Sequence, residues 1–470
     1  MTRTGLFLSA LGVAASACQA THAEASRPAV VVRPPPVVTT TTTTTTTTSH
    51  TVASTPPPPP QNVCVAIDKS KYELPPLETH VGTVTTLPPL PPIPAIVDES
   101  HDLAPFYAKL AKLARGKATD HVRIAVYGDS NMTMDYMTGA MRRLLQSKFG
   151  DGGHGYVAMA RPWAWYHHMD VKQELSESKW TKISTSTDHV RDGHYGLANV
   201  ATESDKAGAW SMVGTIDDQP VGSKVSAIDV FYMKRPGGGS FGIKVDGEQA
   251  VTLSSASNES AATWEHFDMP DGAHKLELVV NGGNVRLLGA SLERSTPSII
   301  IDSLGTGALN YEQMQHVSDA SRDPMLKRRK YDLVVFLIGT NLFAPGLHER
   351  WMEKDIGMIE TAVPHTPILI LSPPDIELQR TDTHSDPRIV ALQKQLGDIA
   401  KKHDWAYWNF WQAMGGDMSM IKFARVGLGT WDLVHLTRDG GFLMGDRFVH
   451  AIWDGFEGYL KDHPDAGCSD

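Results

Sequence analysis

The sequence predicts a doubly wound parallel α/β sheet that is interrupted by an antiparallel β-sandwich. Short apolar, β-branched runs at residues 122–127, 298–301 and 333–338 have the composition of strands buried on both faces. Stretches with helical spacing lie between them, and this alternation is typical of a doubly wound sheet. Between residues 171 and 294 the pattern changes to short strands separated by glycine-rich turns, which is typical of a sandwich. The α/β pattern then resumes, so the sandwich is predicted to be an insertion.

The predicted elements follow the chain in order on both sides of the insertion. Before it, we predict helix 103–113, strand 122–127 and helix 133–149. Within it, the predicted strands are 225–233, 239–245, 274–280 and 285–292. After it, we predict strands 298–301, 333–338 and 368–371 and helices 351–362, 387–403 and 440–460.

Length and charge narrow the class of protein. The chain has 470 residues, 43 Lys and Arg against 53 Asp and Glu, and a formal net charge of −10. At roughly 100–200 residues per domain, this length allows two or three domains with real cores. Net acidity argues against a nucleic-acid partner, which usually requires a basic face. We interpret the basic cluster at residues 327–330 as a solvated helix end.

The first residues predict export. Arg3 is followed by an apolar run at residues 6–17 and then by Cys18, so residues 1–18 have the layout of a secretory signal. The Ala-Ser-Ala-Cys sequence that ends at Cys18 resembles a bacterial lipoprotein cleavage box, in which the cysteine becomes acylated. Ordinary signal-peptidase cleavage nearby is the alternative. With Gln19 next, an acylated Cys18 predicts an outer-membrane anchor that faces the periplasm. No other stretch reaches the roughly 18 apolar residues of a membrane span.

Composition also predicts the domain boundaries. Residues 19–62 contain ten consecutive threonines and two proline runs, and they offer too few apolar side chains for a core. We therefore predict a disordered, extended linker there. The α/β domain is predicted at 63–170 and 296–470, with the inserted sandwich at 171–295.

The chain contains three cysteines. If Cys18 carries lipid, Cys64 and Cys468 remain as one candidate pair in an oxidising compartment. They flank the predicted globular part, so a disulfide between them would tie its two ends together.

Two motifs carry candidate catalytic groups. Ser130, in Gly-Asp-Ser, follows a predicted strand and precedes a helix. A hydroxyl at such a turn projects into solvent, and its backbone N–H lies at the positive end of the helix dipole. A simple helix N-cap is the alternative interpretation. Asp432 and His435 form Asp-x-x-His, a spacing at which the carboxylate can orient the imidazole.

Two further motifs follow predicted strands at the sheet edge where α/β proteins bind ligands. One contains Gly305 and Gly307 and follows strand 298–301. The other is Gly-Thr-Asn, ending at Asn341, and it follows strand 333–338. The four motifs together are far more specific than any one of them.

In these four motifs and their order, the sequence resembles the GDSL/SGNH hydrolase superfamily. The resemblance implies a flavodoxin-like three-layer α/β/α sheet, with Ser130 as nucleophile, His435 as general base and then acid, and Asp432 orienting His435. It implies an oxyanion hole made by the N–H groups of Ser130 and Gly307 and the side-chain amide of Asn341. Gly305 remains the alternative to Gly307. No cofactor or metal is implied.

The sequence departs from the superfamily pattern at two positions. Asn131 replaces the Leu or His common after the serine, and Leu342 replaces the Asp common after the asparagine. Neither change removes a catalytic group.

The glycine-rich segment 149–156 and the β insertion look like bacterial peptidoglycan O-acetylesterases, in which a carbohydrate-binding-module-like sandwich interrupts the hydrolase domain. This narrower resemblance implies a serine esterase that removes O-acetyl groups from a cell-envelope glycan. We separately expect the protein to be a monomer. Two alternatives stay open: a non-catalytic glycan-binding lipoprotein, and an esterase or lipase for lipid or short-chain esters. Trp431, beside Asp432, is the tryptophan that we expect to touch substrate. For Trp163, Trp165, Trp408 and Trp411 we expect core or rim packing.

Overall fold

The computed structural model describes residues 64, 66–76, 81–187, 190–342 and 347–468. The predicted signal, Cys18 and the predicted linker lie outside these residues. Within them, no helix has both the length and the apolar character needed to cross a membrane.

The secondary structure of the described residues is as follows. The strands are β1 (Val122–Gly128), β2 (Gly153–Val157), β3 (Val171–Leu175), β4 (Thr181–Ser184), β5 (Val200–Ser204), β6 (Trp210–Thr215), β7 (Val225–Lys234), β8 (Ser240–Val245), β9 (Glu248–Ser254), β10 (Ala261–Gly272), β11 (Lys275–Gly282), β12 (Val285–Glu293), β13 (Ile299–Gly305), β14 (Leu333–Leu337), β15 (Ile368–Leu371) and β16 (Ala406–Trp408). The helices are α1 (Lys69–Tyr72), α2 (Ala104–Ala114), α3 (Tyr136–Phe149), α4 (Tyr311–Met314), α5 (Asp319–Arg329), α6 (Glu349–Ala362), α7 (Pro387–Lys402), α8 (Phe410–Met414), α9 (Ser419–Val426) and α10 (Arg438–Asp462).

Five parallel strands form the central sheet in the order β13-β1-β14-β15-β16. Gly128, the last residue of β1, lies opposite Gly305 of β13 and Leu337 of β14. The segments that follow these three residues therefore leave the sheet at one edge. The strand after β1 in the sheet, β13, lies on one side of β1, and the next, β14, lies on the other side. A sheet whose strand order switches in this way has a crevice for ligands at the switch point.

Helices cover both faces of the central sheet. Alternate residues of β1 point to opposite faces. Ile124 and Val126 belong to the core beneath α2, α3 and α10, whereas Ala125 and Tyr127 belong to the core beneath α5, α6 and α7. The predicted three-layer α/β/α architecture is confirmed.

The insertion is a sandwich of two antiparallel sheets. One has the order β10-β7-β12-β5-β4, and the other has the order β3-β6-β11-β8-β9. Strand β7 is buried on both faces: Val230 and Tyr232 enter the sandwich core, whereas Phe231 and Met233 join a core of the α/β domain. The sandwich is therefore packed onto the α/β layers through an apolar sheet face.

Two details differ from the sequence-based boundaries and interpretations. Strand β2 pairs with β12 of the sandwich, so sandwich pairing starts before the predicted boundary at residue 171. The basic cluster at 327–330 is only partly solvated, because Arg329 is buried and its guanidinium binds Asp302 and Glu293. The sequence did not indicate either feature. Glycine-rich β2 lacks the apolar alternation that is typical of a strand, and the acidic partners of Arg329 are distant from it in sequence.

A disulfide joins Cys64 to Cys468, with 5.4 Å between the two Cα atoms. It links the first described residue to the last one, and these two residues are 404 positions apart in the sequence.

Candidate active site

Ser130 lies on a tight turn between β1 and α3. It begins a 3₁₀ turn, Ser130–Met132, directly after Gly128 and Asp129. A Cβ atom on Gly128 would lie 2.2 Å from the Met132 side chain, and one on Gly305 would lie 2.5 Å from the Met132 backbone. Glycine at both positions lets the turn fit against the neighbouring strand end, so the Ser130 side chain remains partly exposed.

The buried carboxylate of Asp129 joins this turn to the next strand end. It accepts hydrogen bonds from the backbone N–H groups of Asn131 (3.2 Å), Gly339 (3.3 Å) and Thr340 (3.0 Å). Burial raises the pKa of Asp129, and these backbone donors oppose the rise. The Ser130 turn and the Gly-Thr-Asn turn are thereby held as one unit.

The structure brings Ser130, His435 and Asp432 into one hydrogen-bonded chain. Ser130 Oγ lies 2.8 Å from His435 Nε2, and His435 Nδ1 lies 2.7 Å from Asp432 Oδ2. An ionised carboxylate can only accept, so Nδ1 carries the proton and Nε2 can accept the proton of the Ser130 hydroxyl. This is the arrangement that a serine nucleophile requires.

Asp432 is held in its ionised form although its side chain is about half exposed (51%). Partial burial raises its pKa, but hydrogen bonds from the Thr430 hydroxyl, the His435 ring and the backbone N–H groups of Val434 and His435 outweigh that effect. The pKa falls to about 2 as a result. Thr430, whose hydroxyl donates to Asp432 Oδ1, belongs to none of the four sequence motifs.

The candidate oxyanion donors lie at the same edge. Among the described residues, no backbone carbonyl accepts from the N–H of Ser130 or of Gly307. Gly305 is buried at the end of β13, whereas Gly307 lies beyond the strand, half-buried and with open space beside its Cα. The Asn341 amide donates to the carbonyl of Leu309 at 3.3 Å, which places it against the segment after β13. This geometry favours Gly307 over Gly305.

Asn131 has a structural role that sequence reasoning missed. Its side-chain carbonyl accepts from the N–H of Leu436 at 3.0 Å, and its amide reaches the carbonyl of Val434 at 3.4 Å. The residue after the candidate nucleophile therefore binds the loop that carries the candidate base. A family pattern shows only that Leu or His is absent here, so it could not indicate this contact.

Two residues with buried carboxyl groups, Asp375 and Glu377, lie in the segment that contacts the same loop through the Glu377 backbone. Glu377 donates its backbone N–H to the carbonyl of Leu433 at 3.4 Å, and Leu433 lies between Asp432 and His435. Asp375 accepts from Trp411 Nε1 at 2.8 Å and from the N–H of Ser419 at 2.7 Å. Burial, and then the neighbouring Asp375, raise the pKa of Glu377 to about 9, so its carboxyl group is neutral at pH 7.

The tryptophans that the sequence analysis names differ in how deeply they are buried. Trp408 is fully buried, Trp411 is half-buried against Asp375, and Trp163 packs on Tyr166 with 5.2 Å between ring centroids. Trp165 and Trp431 are exposed, at 61% and 50%. Of these five, Trp431 is the one adjacent in sequence to a member of the hydrogen-bonded chain.

One group of side chains outside the disulfide has metal-compatible donor spacing among the described residues: Glu349, Glu353 and His403. Lys402 and His403 already bind Glu349, so this group is a surface ion-pair cluster. It precedes β16 and so lies away from the edge where Ser130 emerges. His168, which follows His167 in the sequence, is buried, and its Nδ1 lies 3.4 Å from Asp135 Oδ2.

Comparison with solved structures places the fold. The chain is similar to the structure of a peptidoglycan O-acetylesterase, with a TM-score of 0.65 and 21% identity over 77% of this chain and 99% of that one. A family two carbohydrate esterase from Clostridium thermocellum (TM-score 0.25, 13% identity, 55% and 96% covered) and a lipase/acylhydrolase from Enterococcus faecalis (0.26, 14%, 34% and 77%) are much less similar. No family model and no curated protein matches the chain.

The similarity to the O-acetylesterase structure shows a shared fold. The chain is a three-layer α/β/α protein with an inserted β-sandwich. The predicted fold class and its inserted domain are confirmed.

Proposed function

We propose that the protein is a serine esterase that removes O-acetyl groups from a cell-envelope glycan, most specifically peptidoglycan. The observation that carries this proposal is the chain from Ser130 Oγ through His435 to Asp432, with contacts of 2.8 and 2.7 Å. The fold shared with a peptidoglycan O-acetylesterase supports the choice of substrate.

The first half-reaction transfers the acetyl group to the enzyme. Ser130 Oγ attacks the ester carbonyl carbon while His435 Nε2 takes the hydroxyl proton. The negative charge on the carbonyl oxygen is stabilised by the N–H groups of Ser130 and Gly307 and the amide of Asn341. His435 then donates its proton to the sugar oxygen, the C–O bond breaks, and the deacetylated glycan leaves an acetyl-Ser130 ester.

The second half-reaction consumes one water molecule. His435 takes a proton from water, the hydroxide attacks the acetyl-Ser130 carbonyl, and the same donors stabilise the second oxyanion. His435 returns the proton to Ser130 Oγ as acetate leaves. Asp432 remains ionised throughout and stabilises the imidazolium, which its low pKa permits.

We further propose that Cys18 is acylated and that residues 19–62 tether the enzyme to the outer membrane, facing the periplasm. This proposal rests on the sequence of the signal and of the threonine- and proline-rich linker. Metabolic labelling with an alkyne fatty acid would test it. Label that is lost in Cys18→Ser supports acylation, and unlabelled wild-type protein contradicts it.

The test of the proposed activity is acetate release from purified O-acetylated peptidoglycan by the full chain. The comparison substrates are a soluble acetyl ester and a medium-chain lipid ester, each assayed also with Ser130→Ala. Release from peptidoglycan that is lost in Ser130→Ala supports the proposal. Hydrolysis of the lipid ester alone would make the protein a lipase, and hydrolysis of none of the three would contradict an esterase function.

A further inference from the structure

We propose that Arg380 and Trp431 form a subsite for a carboxylate group on the acetylated glycan, so that the enzyme selects acidic sugars. The inference rests on the proposed esterase function and deepens it by naming the substrate class. The two residues belong to different loops that meet beside the Ser130–His435–Asp432 chain.

Trp431 presents an exposed aromatic surface at the reaction centre. It directly precedes Asp432 and is 50% exposed. Few large apolar side chains are exposed among the described residues. Besides Trp431, one of them is Leu378, which is 60% exposed and lies on the loop that carries Arg380. Apolar surface that a fold leaves in water beside a catalytic group is a common feature of ligand sites.

Arg380 stacks on this tryptophan and keeps its charge available. Its guanidinium carbon lies 4.6 Å from the centroid of the Trp431 ring. In the described part of the chain, Arg380 has no carboxylate partner. Arg328 provides the contrast, since it stacks on Trp264 at 5.3 Å but also binds both carboxylate oxygens of Asp229. The cation of Arg380 is therefore free to bind an anion from solution.

The loop that carries Arg380 is fixed before substrate binds. Asp382 Oδ2 accepts from the N–H groups of Leu378 and Gln379, both at 2.9 Å, which closes a tight turn around Arg380. The Glu377 N–H, one residue before that turn, binds the carbonyl of Leu433. The same contacts therefore hold Arg380 in place relative to Asp432 and His435, and such preorganisation lowers the cost of binding.

The chemistry of the pair defines the ligand. A guanidinium binds a carboxylate through two parallel N–H···O bonds, and stacking on an aromatic ring leaves its N–H edges free to do so. A sugar ring that carries a carboxylate, with its acetyl ester at Ser130, satisfies both features. Two sources share this chemistry: peptidoglycan strands freed of their stem peptides, whose lactyl carboxylate is then exposed, and acetylated uronate polysaccharides.

The test compares each acidic glycan with its own neutral derivative. O-acetylated peptidoglycan strands freed of peptides, and an O-acetylated uronate oligosaccharide, are assayed before and after conversion of their carboxylates to methylamides. The measured quantity is the ratio of kcat/KM for the acidic form to kcat/KM for the neutral form. We expect the wild-type ratio to be about tenfold or more, as for a charged hydrogen bond, and we expect Arg380→Gln to bring it near one.

Two further variants complete the design. Arg380→Lys keeps the charge without the two-bond geometry, so its ratio should fall between those of wild type and Arg380→Gln. Arg350→Gln is the matched control, because Arg350 also stacks on a tryptophan, Trp351, at 5.7 Å. Arg350 follows Glu349, whose partner Lys402 precedes β16, so this pair lies away from the edge where Ser130 emerges. The ratio for Arg350→Gln should equal that of the wild type.

The outcomes separate this inference from the proposed function. A ratio near one for both glycans in the wild type, or an unchanged ratio in Arg380→Gln, overturns the carboxylate subsite while Ser130-dependent hydrolysis still supports the esterase. A preference for the acidic form of one glycan supports the subsite and identifies the source. If Ser130→Ala hydrolyses the glycans as the wild type does, the esterase proposal fails, and the subsite inference that rests on it fails too.

Discussion

The side-chain carbonyl of Asn131 accepts a hydrogen bond from the backbone N–H of Leu436 at 3.0 Å. Each of these residues directly follows a member of the candidate catalytic pair, Asn131 after Ser130 and Leu436 after His435. One side chain therefore joins the turn that carries the candidate nucleophile to the loop that carries the candidate base, although the two lie 305 residues apart in sequence.

Replacing Asn131 with alanine should lower kcat for a soluble acetyl ester by about 10- to 100-fold. The His435 loop loses its contact with the Ser130 turn, and a misplacement of about 1 Å can cost ~10²-fold in rate. Steady-state kinetics measures the effect. Asn258→Ala, which changes an exposed asparagine in the sandwich, is the control. Equal kcat values for Asn131→Ala and wild type would contradict this positioning role.

Asp432→Asn should lower kcat by about 10⁴-fold, because the amide favours the wrong imidazole tautomer. Since the pKa of Asp432 is about 2, its carboxylate is ionised throughout the neutral and mildly acidic range. The loss should therefore remain on the plateau of each pH–kcat profile, where His435 is in its active form. Equal plateau values of kcat for Asp432→Asn and the wild type would contradict the orienting role of Asp432.

Glu377→Gln should change how stability depends on pH. Folding raises the pKa of Glu377 from about 4.5 to about 9, so between these values the folded state holds a proton that the unfolded state has released. The wild type should lose stability as pH rises through this window, and the variant should lose less. Thermal unfolding from pH 5 to 9 measures the difference, with the exposed Glu259→Gln as control. Parallel curves for wild type and Glu377→Gln would contradict the raised pKa.

Loss of the Cys64–Cys468 disulfide should lower the free energy of unfolding by about 2–5 kcal/mol, since the bond restricts the unfolded chain. Denaturant unfolding of Cys468→Ser under oxidising conditions measures this, and reduction of the wild type should have the same effect. Neither end lies at the catalytic edge, so kcat should persist in the variant. A reduced wild type that unfolds at the same denaturant concentration as the oxidised protein would contradict the prediction.

Four of the five strands of the parallel sheet could be predicted from sequence because they are continuous apolar runs, and β1 matches its predicted range to within one residue. The fifth, β16, has only three residues and was not predicted. The sandwich was only partly predictable. Strand β9 has mostly exposed residues and β2 is rich in glycine, so neither shows the apolar alternation that marks a strand.

The residues of the candidate site, too, were only partly predictable from the sequence. Ser130, Asp432 and His435 could be predicted because short motifs carry them at strand ends and in a fixed order. Arg380 and Glu377 could not, because their relation to the site arises only when the loop after β15 packs against the Asp432 loop. Contacts between loops depend on tertiary packing, and one sequence holds no local signal for them.

Covalent labelling distinguishes a Ser130 nucleophile activated by His435 from an ordinary surface serine. The full chain would be incubated with a fluorophosphonate, which reacts with activated serines, and the modified peptide would be identified by mass spectrometry. We expect one adduct, on Ser130, that is lost in Ser130→Ala and strongly slowed in His435→Ala. Labelling of another serine, or equal labelling of Ser130 in wild type and His435→Ala, would contradict it.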